Sequence, residues 1–107
     1  MSLQLHTENT VIVFYVITEE GNRKAAEVDL SMRDHERGIV GFNVTNNNGS
    51  TSVVAYHNQE FIIPVQHECE YYEARCRAYL NDKDGRIWLS IDADKKRVYI
   101  GRYRKNV

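Results

Sequence analysis

Four side chains with nitrogen or sulfur donors fall within twenty residues: His57, His67, Cys69 and Cys76. Imidazole and thiolate are the usual ligands of zinc, and His67 and Cys69 would share one face of a strand. Structural zinc sites draw their ligands in closely spaced Cys or His pairs, and neither pairing is present. The expectation is no metal and no cofactor, with the cysteines acting as small apolar residues and the histidines lying at strand ends. A Cys69–Cys76 disulfide is not expected either. Seven steps cover about 23 Å along a strand and about 10.5 Å along a helix, both beyond the ~7 Å Cα limit. Glu70–Arg75 also lacks any Gly, Pro, Asn or Asp to turn the chain back.

Asp34-His35-Glu36 sets a histidine between two carboxylates. Adjacent residues on a loop diverge, and general acid–base chemistry needs a convergent, partly desolvated site with a nucleophile in reach. The sequence singles out no nucleophile. An enzyme with a pocket around His35, or around His57, His67 and Cys69, is therefore the alternative, and a non-enzyme the expectation. The acidic clusters Asn81–Asp84 and Asp92–Asp94 lack the ligand spacing of a calcium loop and read as turns.

The remaining chemistry is in arginines interleaved with aromatics near the C-terminus. Residues 1–70 carry 4 basic and 10 acidic side chains, and residues 71–107 carry 10 and 5, so the halves balance at −6 and +5. Such asymmetry marks either a surface for an acidic partner or two ends that pair in the fold.

These side chains must be held by strands. Short apolar runs alternate with turn clusters every eight to twelve residues. Thr10–Thr18 is apolar at both parities and rich in β-branched residues, which predicts a central strand buried on both faces. Glu19–Asn22 is a turn, and Ala26, Val28 and Leu30 alternate as a half-buried strand. Ser31–Gly38 fits one helical turn or an irregular loop. Ile39–Thr45 and Ser52–Tyr56 flank Asn46–Gly49 as a hairpin, its Asn48-Gly49 pair favouring positive φ angles. Phe61–Gln66 contains Pro64, the only proline, which assigns it to an edge or a bulge. His67–Leu80 fits both a helical and a strand period, and strand is chosen for residues 73–80 because the flanking hairpins supply partners. Asn81–Gly85 is a turn, Arg86–Ile91 a strand, Asp92–Lys96 a turn and Arg97–Tyr103 the last strand.

The fold class expected is all-β: one domain over residues 1–107, an antiparallel β-sandwich or small barrel of seven to nine short strands with at most one short helix. If residues 73–103 form a three-stranded meander, Tyr79 lies opposite Trp88, and one register sets Trp88 opposite Tyr99. Arg75, Arg77, Tyr79, Arg86, Trp88, Arg97 and Tyr99 would then share the outward face. Aromatics with arginine are the residue types enriched at protein–protein hot spots, and they also stack on bases and sugars. The reading is a non-catalytic binding or assembly module that contacts a protein partner or forms a homo-oligomer. Nucleic-acid or carbohydrate binding by the same face is the alternative. No apolar run approaches the ~20 residues that span a bilayer, and the first residues show no export signal, so a cytoplasmic location without membrane contact is expected.

Overall fold

The computed structural model describes residues 3–81 and 83–105; Asp82, part of the predicted Asn81–Gly85 turn, lies outside the described residues. The chain forms nine strands: β1 (Leu3–His6), β2 (Thr10–Thr18), β3 (Gly21–Asp34), β4 (Ile39–Asn46), β5 (Gly49–Tyr56), β6 (Glu60–His67), β7 (Glu70–Leu80), β8 (Ile87–Asp92) and β9 (Val98–Arg104). They pair antiparallel in two sheets, one ordered β5-β4-β3-β2-β9 and the other β1-β8-β7-β6. This is a small β-sandwich, and no helix occurs among the described residues.

The composition of β2 dictates much of this arrangement. Ile12, Phe14 and Val16 face the core, while Val11 and Val13 on the opposite face are only 6% and 2% exposed. In a two-layer sandwich the outer face has no second layer over it, so cover for Val11 and Val13 comes from the side chains of strands flanking β2. β3 is one, with Val28 opposite Ile12 and Ala26 opposite Phe14. β9 is the other, with Ile100 opposite Phe14, Gly101 opposite Val13 and Tyr103 opposite Val11. On the outer side, Lys24 pairs with Glu27 and Lys105 with Asp29, screening the buried valines from water.

That demand overturns the three-stranded meander. β8 lies between β7 and β1, whereas β9 crosses to the other sheet. Trp88 therefore faces His6 across the ladder, and Tyr99 faces Tyr15. Asp94 shapes the crossing: its carbonyl accepts from the Arg97 and Val98 N–H groups, and its carboxylate from the Lys96 N–H. Leaving β2 at an edge would have exposed an apolar strand with unpaired backbone groups, a worse outcome than a longer connection.

Other expectations are refined. Ser31–Asp34 extends β3 rather than forming a helical turn, and Ser31 is the extra residue of a bulge between Leu30 and Met32. The chain reverses after Asp34, whose carboxylate accepts from the Arg37 N–H, with Gly38 at φ 69°. β7 is a strand over its whole length, and Glu68 and Cys69 form its two-residue turn with β6, Glu68 standing at φ 55°. β6 is an edge strand, as Pro64 requires. The Asn47-Asn48 turn places positive φ on Gly49 alone, at 124°. β1 was not anticipated; Leu3 and Leu5 pair opposite Ile91 and Leu89.

Between the sheets, Phe42 of β4 stacks on Phe61 of β6 with ring centroids 5.6 Å apart. Burying side chains of this size stabilises the fold by roughly 1.5–3 kcal/mol each. At the β1–β2 connection, Thr7 donates to the Ile87 carbonyl through both N–H and hydroxyl, and the Glu8 carboxylate accepts from the Ile87 N–H at 2.6 Å. Glu8 also reaches Arg33 of β3, so one loop joins both sheets.

Candidate binding surface

The outer face of the four-stranded sheet is built by alternation. In β7, Ala74, Cys76, Ala78 and Leu80 point inward, which turns Arg75, Arg77 and Tyr79 out. In β8, Ile87, Leu89 and Ile91 point inward, which turns Trp88, Ser90 and Asp92 out. Arg86 precedes β8 at the same parity and is exposed. Five of the seven residues predicted from sequence thus share this face. Arg97 and Tyr99 do not, because β9 belongs to the other sheet.

The face is organised in rows across the strands. Tyr79 and Trp88 stand directly opposite, the pairing expected from sequence. Each ring takes a histidine: Trp88 meets His6 edge to face at 3.9 Å, and Tyr79 meets His57 at 5.9 Å. His57 is fixed by accepting the Leu80 N–H at Nδ1, 3.0 Å. The next row runs Gln4, Ser90, Arg77 and Glu60, and the one after holds Asp92, Arg75 and Ile62. Arg75 pairs with Asp92 at 3.1 Å, and Arg77 pairs with Glu60 at 3.6 Å and donates to the Asn58 carbonyl at 2.8 Å. Arg86 donates to His6 Nε2 at 3.2 Å. Tyr71 and Ile62 add exposed apolar area, at 52% and 38%. His6, Glu60 and Asp92 were missed from sequence. The Leu3-Gln4-Leu5-His6 alternation was the available signal for the first; nothing local marks the other two as partners of arginines on another strand.

Arg97 and Tyr99 occupy different surroundings. Arg97 lies at the end of the sandwich, where the β2–β3, β6–β7 and β8–β9 turns border an open cleft of about 750 Å³. Its guanidinium donates to the Tyr72 hydroxyl at 3.2 Å and sits 5.5 Å over that ring. Tyr72, then Asp94, hold the guanidinium above its ordinary pKa. Tyr99 lies on the outer face of the five-stranded sheet, 5.7 Å from Tyr15. The two rings flank Gly101, where an added Cβ would meet Tyr15 at 3.4 Å. Beyond it, burial first and Glu27 second raise the pKa of Tyr103, whose hydroxyl contacts Glu27 at 3.3 Å.

Of the groups weighed for metal or catalytic chemistry, His67 and Cys69 border the cleft beside Arg97, while His35, His57 and Cys76 lie away from it. Cys76 is buried and Cys69 exposed, with no disulfide between them. The whole of β6 separates His57 from His67 and Cys69. Asp34, His35 and Glu36 sit at the β3–β4 turn. Among the described residues, no three His, Cys, Asp or Glu side chains are arranged to hold a metal ion. No helix of the described residues is long and apolar enough to cross a membrane. No family model, curated protein or solved structure matches the chain.

Proposed function

We propose that the protein is a non-catalytic binding or assembly module of the reducing cytoplasm, and that the outer face of the four-stranded sheet is its protein-contact surface. One observation carries this reading: Arg75, Arg77, Tyr79, Arg86 and Trp88 stand together on a rigid sheet, half-buried rings beside exposed guanidinium groups. Rings held by neighbouring histidines and arginines held by carboxylates lose little conformational freedom on contact. The pairing of Arg75 with Asp92 and of Arg77 with Glu60 offsets cationic charge on the face. A phosphate backbone gains most from unpaired cations, so a protein surface of mixed charge fits better than nucleic acid. The exposed Cys69 thiol accords with a reducing compartment.

The test is the double substitution Arg77→Ala and Trp88→Ala, assayed by pull-down of a protein partner. Trp and Arg are enriched among interface hot spots, whose truncation costs about 2 kcal/mol or more, so partner capture should fall by well over tenfold while thermal unfolding stays cooperative. Unchanged capture by a folded double variant rejects the assignment.

A further inference from the structure

We propose that two copies of the chain join through β5, edge to edge and antiparallel, so that two five-stranded sheets become one ten-stranded sheet. This is independent of the arginine–aromatic face, which lies on the other sheet.

The sandwich has four sheet edges, and three are protected. β6 carries Glu60 and Pro64, β9 carries Arg102 and Arg104, and β1 is four residues long. Charges, prolines and short strands are the usual devices against edge pairing. β5, Gly-Ser-Thr-Ser-Val-Val-Ala-Tyr over residues 49–56, has none of them in eight residues.

The direction of its free backbone groups follows from Gln59. The Tyr56 N–H donates to Gln59 Oε1 at 2.8 Å, and the Tyr56 carbonyl accepts from the Gln59 N–H at 3.0 Å. Tyr56 therefore points its backbone groups away from β4, and antiparallel alternation does the same for Val54, Ser52 and Ser50. Gln59 closes the edge at Tyr56. Three residues, each with one N–H and one C=O, remain open to a partner strand.

Backbone donors and acceptors in this alternation recognise an extended strand. A second copy of β5 satisfies them in one register, with Ser52 opposite Ser52 across a two-fold axis and Ser50 opposite Val54 of the second copy. That register uses every open group and opposes no like charges. It is also self-terminating, since an isologous contact closes at a dimer. The adjoining surface is apolar: Met32, Gly41 and Val54 form a row across β3, β4 and β5, with Met32 46% and Val54 59% exposed. Met32 Cγ lies 2.6 Å from where a Gly41 Cβ would stand, so its side chain covers β4 and extends the apolar surface toward the edge.

Sedimentation equilibrium should show a concentration-dependent rise to twice the 12.5 kDa monomer mass. Ser52→Lys opposes two ammonium groups at the axis, and Ser52→Pro removes an N–H that bonds nothing within the monomer; each should weaken the dimer at least about tenfold. Ser52→Thr should keep it, and so should the Arg77→Ala, Trp88→Ala variant. Amide exchange supplies a readout without mutation: protection of Ser50, Ser52 and Val54 should rise with concentration, while Thr51 and Val53, already bonded to β4, change little. A wild-type protein monomeric up to its solubility limit overturns the proposal. So does a dimer that survives both disruptive Ser52 variants, or one abolished by Arg77→Ala, Trp88→Ala alone.

Discussion

Cys76 and Cys69 differ in environment far more than in sequence. Cys76 is fully buried between the sheets, and desolvation first, with the Glu60 charge second, pushes its thiol up to about 12 from an ordinary 9.0. Cys69 is exposed in a turn. A thiol-alkylating reagent near neutral pH should therefore modify one cysteine per native chain, with the second reacting only in denaturant. Peptide mapping checks this, and native labelling of Cys76 would contradict it. The same shift links stability to pH. Above pH 9 the unfolded thiol loses its proton while the folded one keeps it, so unfolding becomes easier as pH rises toward about 12. The slope from this one group is about 1.4 kcal/mol per pH unit. Urea titrations on either side of pH 9 should show a steeper loss in the wild type than in Cys76→Ala, which cancels the contribution of the tyrosines and lysines. Parallel slopes would rule the effect out. Alternation along residues 73–80 already turns Cys76 toward the core; Cys69, expected to be a small buried residue as well, is exposed because it lies in the turn between β6 and β7.

At the scale of elements, the loop between β1 and β2 matters more than its length suggests. Glu8 satisfies the first N–H of β8 and reaches Arg33, while Thr7 caps the Ile87 carbonyl. Glu8→Ala should lower the unfolding free energy by roughly 1.5–3 kcal/mol, the range for hydrogen bonds to a charged group, readable as a lower urea midpoint at unchanged slope. A loss below the scatter between replicates would mean that water replaces the carboxylate. Elements with strong local signals were legible: the doubly apolar Thr10–Thr18, the Asn-rich turn before Gly49, and Pro64 at an edge. Elements whose stability is tertiary were not. Leu3–His6 offers only a four-residue alternation as a local signal and is a strand because β8 offers it a ladder. Ser31–Asp34 has helix-capping residues, yet pairing with β4 and a bulge at Ser31 override that preference.

The molecule as a whole carries a formal net charge of −1 despite its cationic C-terminal third. Pairs such as Arg77 with Glu60 and Lys105 with Asp29 join that third to the acidic remainder. Neither single-stranded nor duplex DNA should be retained even at low ionic strength, and a clear mobility shift would restore the nucleic-acid alternative. The amino-acid order by itself determined the all-β class, because β-branched runs of alternating polarity between turn residues bury their apolar sides in antiparallel sheets, whether stacked as a sandwich or closed as a barrel. It also determined which side of β7 and β8 carries arginine and aromatic residues, since parity along a strand is a local property. Only the tertiary structure decided which strands are neighbours. β9 joins β2 because an apolar strand needs cover on both flanks, and that long-range requirement moved Arg97 and Tyr99 away from the face that periodicity had given them.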